Sequence, residues 1–91
     1  MKPINKALFE VWSVEFAKLD ERQRNKINAN YKMLMKEFIN LMNNDNKFID
    51  SITSSTGDRT RVIYRFKTIE NLIQKVITSW FLKLKLKILN L

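Results

Sequence analysis

The chain has 91 residues, with 17 lysines and arginines against nine aspartates and glutamates, and a formal net charge of +8. A chain of this length builds one small core, because it buries only about 60% of the surface that its unfolded form exposes. It holds no histidine, no cysteine and a single glycine, which excludes an imidazole base, a thiol nucleophile, a thiolate metal site and a glycine-rich phosphate loop. We therefore expect a non-enzymatic domain that needs no cofactor and no metal.

We do not expect the first residues to form an export signal. Glu10 and Glu15 interrupt the first apolar stretch, and no cleavage site of small residues follows it. The longest apolar run is a few residues, whereas a helix that crosses a bilayer needs about 20. We expect a cytoplasmic protein, and we do not expect membrane association.

The first predicted helix runs from about residue 4 to about residue 19. Its apolar positions recur at helical spacing: Ile4, Leu8, Val11, Trp12 and Leu19. Phe9 and Phe16 widen this arc on one side and Val14 on the other, which is typical of a helix that packs on two sides. We infer a partner interface at Phe9, Phe16 and Val14. Glu15 falls within the arc, where we expect it to pair with Lys18 or to reach solvent.

The second predicted helix spans about residues 21 to 43. Asp20 is a typical N-cap, and Gln23 stands three residues later, as in a capping box. The apolar stripe that follows has alternating spacings of four and three: Ile27, Tyr31, Leu34, Phe38 and Leu41. The polar residues 43–46 should end this helix.

The next segments complete an all-α fold. We expect a short helix that Asp45 or Asn46 caps, a loop over residues 51–58 with a positive φ at Gly57, and a last long helix after Asp58. Its stripe runs through Val62, Phe66, Ile69, Ile73, Val76 and Trp80. The predicted fold is a small bundle in which two long antiparallel helices hold the N-terminal helix in their groove, with a short connecting helix. It forms one domain over residues 1–80.

Residues 81–91 form a tail in which leucine and lysine alternate. If the last helix continued, Lys87 would fall in the middle of its apolar stripe, so the segment fits a period of two better than one of 3.6. Three structures remain open: a strand paired with another copy or domain, a frayed end, or a helix imposed by the preceding one. Its lysines are either solvated or contacts for nucleic acid or acidic lipid.

The densest basic run is Arg59, Arg61, Arg65 and Lys67. A guanidinium group can bind two phosphate oxygens at once, and the N-terminus of a helix adds an electrostatic potential that favours an anion. Nucleic-acid binding through these four residues is therefore an alternative function. Arg61 and Arg65 also flank the apolar stripe, where long side chains commonly cover the edge of a core.

Spaced residues over about positions 4–77 resemble a known family. They are the run from Asn5 to Leu19, then Phe48, the loop 55–58, Val62, Arg65 and Ile69. This pattern resembles the C-terminal helical segment of bacterial DGQQR-motif proteins, whose N-terminal region is ParB/sulfiredoxin-like and which include GmrSD-type restriction systems. The DGQQR motif itself is absent from the chain, so no catalytic residue is carried over. The resemblance implies a helical fragment of a defence- or restriction-related protein that acts on nucleotides or DNA.

These observations predict a non-catalytic accessory or interaction domain. Its expected partner is another domain of the parent protein or a second copy of the chain, because the apolar arc on the first helix exceeds what one small core needs.

Overall fold

Five helices make up the fold in the computed structural model, which describes residues 3–53 and 58–90, with side chains for 6–53 and 58–90. They are α1 (Pro3–Ala17), α2 (Glu21–Ala29), α3 (Tyr31–Asn44), α4 (Asn46–Thr53) and α5 (Arg59–Leu89). The prediction of an all-α bundle is confirmed, and the described residues contain no strand. The loop predicted over residues 51–58 begins later than expected, because residues 51–53 belong to α4. Residues 54–57, with the positive φ expected of Gly57, lie outside the described part of the chain.

Three aspartates begin the helices after them. The Asp20 carboxylate accepts a hydrogen bond from the backbone N–H of Gln23 at 2.8 Å. The side-chain oxygen of Gln23 accepts one from the backbone N–H of Asp20 at 3.0 Å. Together these two bonds form the predicted capping box. Asp45 accepts the Phe48 amide at the start of α4, and Asp58 accepts the Thr60 amide at the start of α5. The starts of α2, α4 and α5 were therefore readable from local sequence.

The helix predicted over residues 21–43 is divided at Asn30 into α2 and α3. The side-chain amide of Asn30 donates a hydrogen bond to the Lys26 carbonyl at 3.2 Å. In a continuous helix this carbonyl would accept from the backbone N–H of Asn30. That backbone amide donates instead to the Ile27 carbonyl, one residue later. Because asparagine competes in this way with helical hydrogen bonds, the chain changes direction here.

Helix α5 contacts all four other helices and supplies the largest part of the core. Its fully buried side chains are Ile69, Ile73 and Val76, which pack with Val11, Phe48 and Ile52. Contacts along α5 pair Tyr64 with Asp45 and Lys75 with Glu37, so α3 runs antiparallel to α5. Along the same helix Gln23 lies beside Gln74, and Ala29 beside Leu84, so α2 runs in the same sense as α5.

The leucine–lysine segment is helical as far as Leu89. Helix α5 continues to Leu89, so of the three structures left open the sequence adopts the helix. Residues 81–90 are all exposed. Apolar residues recur with a period of 3.6 when one face of a helix is buried. Residues 81–90 have no buried face, so the spacing of their apolar residues did not indicate a helix. Leucine and lysine are both good helix formers.

Candidate interaction surfaces

The basic run at the start of α5 does not form one exposed patch. Arg59 and Lys67 are exposed, and Lys67 lies 3.8 Å from Glu70. Arg61 binds two carboxylates, with its Nε at 2.8 Å from Asp50 and its Nη1 at 2.9 Å from Asp58. The charge that Arg61 would offer to a phosphate is therefore already shared with two acidic side chains.

Arg65 lies in the core. Its side chain is only 3% exposed, and its Nη1 donates to the Ser51 carbonyl at 3.1 Å. Ser51 itself is buried and donates its hydroxyl to the Phe48 carbonyl. Arg65 thus joins α4 to α5 from inside the bundle. Of the four residues proposed from the sequence for nucleic-acid binding, the structure presents only Arg59 and Lys67 outward without a short ion pair.

Glu15 is buried and paired. It is 3% exposed, and its carboxylate accepts the Lys18 ammonium at 2.7 Å, as expected. This hydrogen bond raises the pKa of the Lys18 ammonium above its usual value. The pair lines a recess of about 190 Å³ between α1, α2 and α5, which Glu70 also borders. Within the described residues, no three carboxylate, imidazole or thiol groups converge in a way that could hold a metal ion.

An exposed apolar surface joins α1 and α3. Trp12 stacks on Phe16 at 5.2 Å between ring centroids and meets Phe38 edge-on at 5.4 Å. Phe9 lies one turn before Trp12 and is 74% exposed. On α3, Met35 and Ile39 are exposed, four residues apart and therefore on the same side of the helix. We call these residues the α1–α3 apolar surface: Phe9, Trp12, Phe16, Met35, Phe38 and Ile39.

The third residue of the predicted interface lies elsewhere. Val14 is exposed, but two residues along a helix correspond to about 160° of separation around it, so Val14 and Phe16 point to different sides of α1. The structure therefore brings Phe9 and Phe16 to one surface and leaves Val14 apart. Met35 and Ile39 were missed because their contribution depends on how α3 packs against α1. Their spacing of four on an apolar helix was the available signal.

Trp80 continues the predicted apolar stripe of the last helix but lies outside the core cluster. It is half-buried at the edge of the bundle, where its ring meets Phe81 edge-on at 5.2 Å and the Lys26 ammonium lies 5.2 Å from its centroid. Trp12 is also half-buried, but it packs against the core. The two tryptophans therefore occupy different surroundings although both continue an apolar stripe.

Among the described residues, no helix is long and apolar enough to cross a membrane. The relation to DGQQR-motif proteins stays a prediction. No protein-family model matches the chain, and neither a curated protein nor a solved structure matches it.

Proposed function

We propose that this chain is a non-catalytic helical module that binds a protein partner through the α1–α3 apolar surface. The observation that carries the proposal is Phe9, a large aromatic side chain that is 74% exposed beside the stacked pair of Trp12 and Phe16. Contiguous exposed apolar patches mark interaction sites, and aromatic residues dominate the binding energy of such sites.

The carboxylates support the non-catalytic part of the proposal. Most of those described have structural tasks: Asp20, Asp45 and Asp58 cap helices. Glu15 and Glu37 form ion pairs with Lys18 and Lys75. Groups held in this way are poor candidates for acid–base chemistry, which needs a carboxylate aimed at a substrate.

Two partners fit the proposal. One is a second copy of the chain, and the other is a further domain of a DGQQR-type defence protein, which the sequence resemblance implies. A DGQQR-containing segment encoded directly upstream, in the same or an adjacent frame, would support the second partner. Its absence from that position would remove the support for a defence role but not for the interaction surface.

The surface is tested by replacing Phe9 with glutamate. We expect Phe9→Glu to abolish association because it places a charge in the centre of the contact, whereas Phe9 has few contacts within the bundle to lose. Sedimentation velocity from micromolar to millimolar concentration measures self-association. A pull-down with any upstream DGQQR segment measures the second partner.

Val14→Glu is the matched control. It makes the same charge change on the same helix but on another side, so it should leave association unchanged. Circular dichroism checks that both variants fold. A monodisperse monomer at every concentration that also fails to bind the upstream segment would overturn the proposal, as would equal loss of association in both variants.

A further inference from the structure

Two neighbouring recesses lie between α2 and the last turns of α5. The first, of about 290 Å³, is lined by Arg22, Asn25, Lys26, Ala29 and Trp80. The second, of about 260 Å³, is lined by Ala29, Asn30, Trp80, Lys83, Leu84 and Lys87. Because Ala29 and Trp80 border both, the recesses are adjacent, and we call the two together the α2–α5 cleft.

The charges that line the cleft all have one sign. Arg22 and Lys26 are four residues apart on α2, and Lys83 and Lys87 are four residues apart on α5, so each pair spans about 6 Å along its helix. None of the described residues that line the two recesses carries a carboxylate. Every ion pair found among the described residues involves other cations. The cleft therefore carries four positive charges, and among the described side chains no acidic group lies within ion-pair distance of them.

Aromatic rings lie among these cations. Trp80 borders both recesses, and the Lys26 ammonium lies 3.8 Å from the centroid of the Phe81 ring. Cations beside aromatic faces suit a ligand that alternates phosphate groups with flat bases, since the phosphates pair with the cations and a base stacks on a ring. Asn25 adds an amide that can hydrogen-bond to a base edge.

From this arrangement we propose that the α2–α5 cleft binds single-stranded nucleic acid. A double helix fits it poorly, because its bases are stacked inside and cannot reach a ring that lies in a recess between two helices. An acidic peptide would satisfy the cations but has no base to place against Trp80. The site is separate from the α1–α3 apolar surface and from residues 59–67.

The test is binding of a fluorescent single-stranded DNA or RNA of about 12 nucleotides to the full chain, followed by anisotropy. Lys83→Ala combined with Lys87→Ala should weaken binding about tenfold at about 50 mM salt. The slope of log affinity against log salt should fall by about 1.4, since each single-strand phosphate contact contributes about 0.7. The side chains replaced in this variant and in its control are all exposed, so both variants should fold: Lys83, Lys87, Arg59 and Lys67.

The matched control is Arg59→Ala combined with Lys67→Ala, which removes the same charge from the other basic segment. It should change the affinity by less than about twofold. In a Trp12→Phe background, fluorescence from Trp80 should be quenched when the oligonucleotide binds. Phe9→Glu should leave this binding unchanged, so failure of the cleft is distinguishable from failure of the interaction surface.

Three results would overturn the proposal. The first is equal weakening by the cleft and control pairs, which would indicate a diffuse charge effect. The second is binding of poly-glutamate as tight as that of the oligonucleotide with no change in Trp80 fluorescence, which would indicate an acidic peptide site. The third is preferential binding to phosphatidylserine vesicles over the oligonucleotide, which would indicate a lipid surface.

Discussion

The Asp45 carboxylate makes two contacts that fix the position of α4 relative to α5. Its Oδ1 accepts the Phe48 amide at 2.9 Å, and its Oδ2 accepts the Tyr64 hydroxyl at 2.8 Å. The hydrogen bond to Asp45, with a smaller effect of burial, raises the pKa of Tyr64 above its usual value of about 10. One side chain therefore both starts a helix and joins it to the longest helix of the bundle.

Replacing Tyr64 with phenylalanine should lower the free energy of unfolding by about 1–2 kcal/mol, since the lost hydrogen bond has a charged acceptor. The pKa of Tyr64 is higher in the folded chain than in the unfolded chain. The stabilisation is therefore complete below about pH 10 and is lost as the pH rises through the folded value. Urea unfolding of both chains between neutral and alkaline pH measures the difference, which should shrink as the pH rises.

Tyr31→Phe is the control for this prediction, because Tyr31 is exposed and should change stability by less than about 0.5 kcal/mol. A Tyr64→Phe chain as stable as the parent at neutral pH would contradict the proposed role of the hydrogen bond. So would a difference between the chains that grows above pH 10.

Among the helices, the features that sequence could predict were those set by residues close together in the chain. The caps at Asp20, Asp45 and Asp58 act within three residues. From sequence alone, Asp20 was identified as a cap, Asp45 was one of two candidates with Asn46, and the last helix was placed after Asp58. The break at Asn30 was missed because the apolar stripe continues through it, and periodicity reports which face is buried but not whether the axis turns. The α2–α5 cleft was missed for a related reason. It forms only because the break at Asn30 places α2 beside Trp80 and the end of α5, and periodicity does not report this placement.

The two asparagines near the end of α2 test the origin of this break. Asn28 is exposed within the helix, so Asn28→Ala should stabilise the chain by a few tenths of a kcal/mol, because alanine is the better helix former. Asn30→Ala makes the same change but removes the hydrogen bond to the Lys26 carbonyl, and should destabilise by about 1 kcal/mol. Thermal unfolding measures both, and a shift of the same sign in the two variants would contradict this explanation.

At the scale of the whole molecule, the fold is organised around its last helix. The chain extends 52 Å along its longest axis, and α5 with its 31 residues accounts for about 46 Å of this at about 1.5 Å per residue. The predicted boundary between residues 80 and 81 stays a prediction, although residues 81–90 bury none of their side chains. The long helix thus combines a core segment with an exposed segment that forms one wall of the α2–α5 cleft.

The central place of α5 has a consequence for synthesis. Phe48 and Ile52 are fully buried in a core to which α5 contributes Ile69, Ile73 and Val76. A ribosome synthesises these α5 residues only after Phe48 and Ile52. The first four helices should therefore leave the ribosome without a closed core and become protease-resistant only after Ile77 has emerged. Limited proteolysis of arrested nascent chains of increasing length measures this point. A chain that resists protease when only residues 1–58 have emerged would show that the first four helices fold without α5.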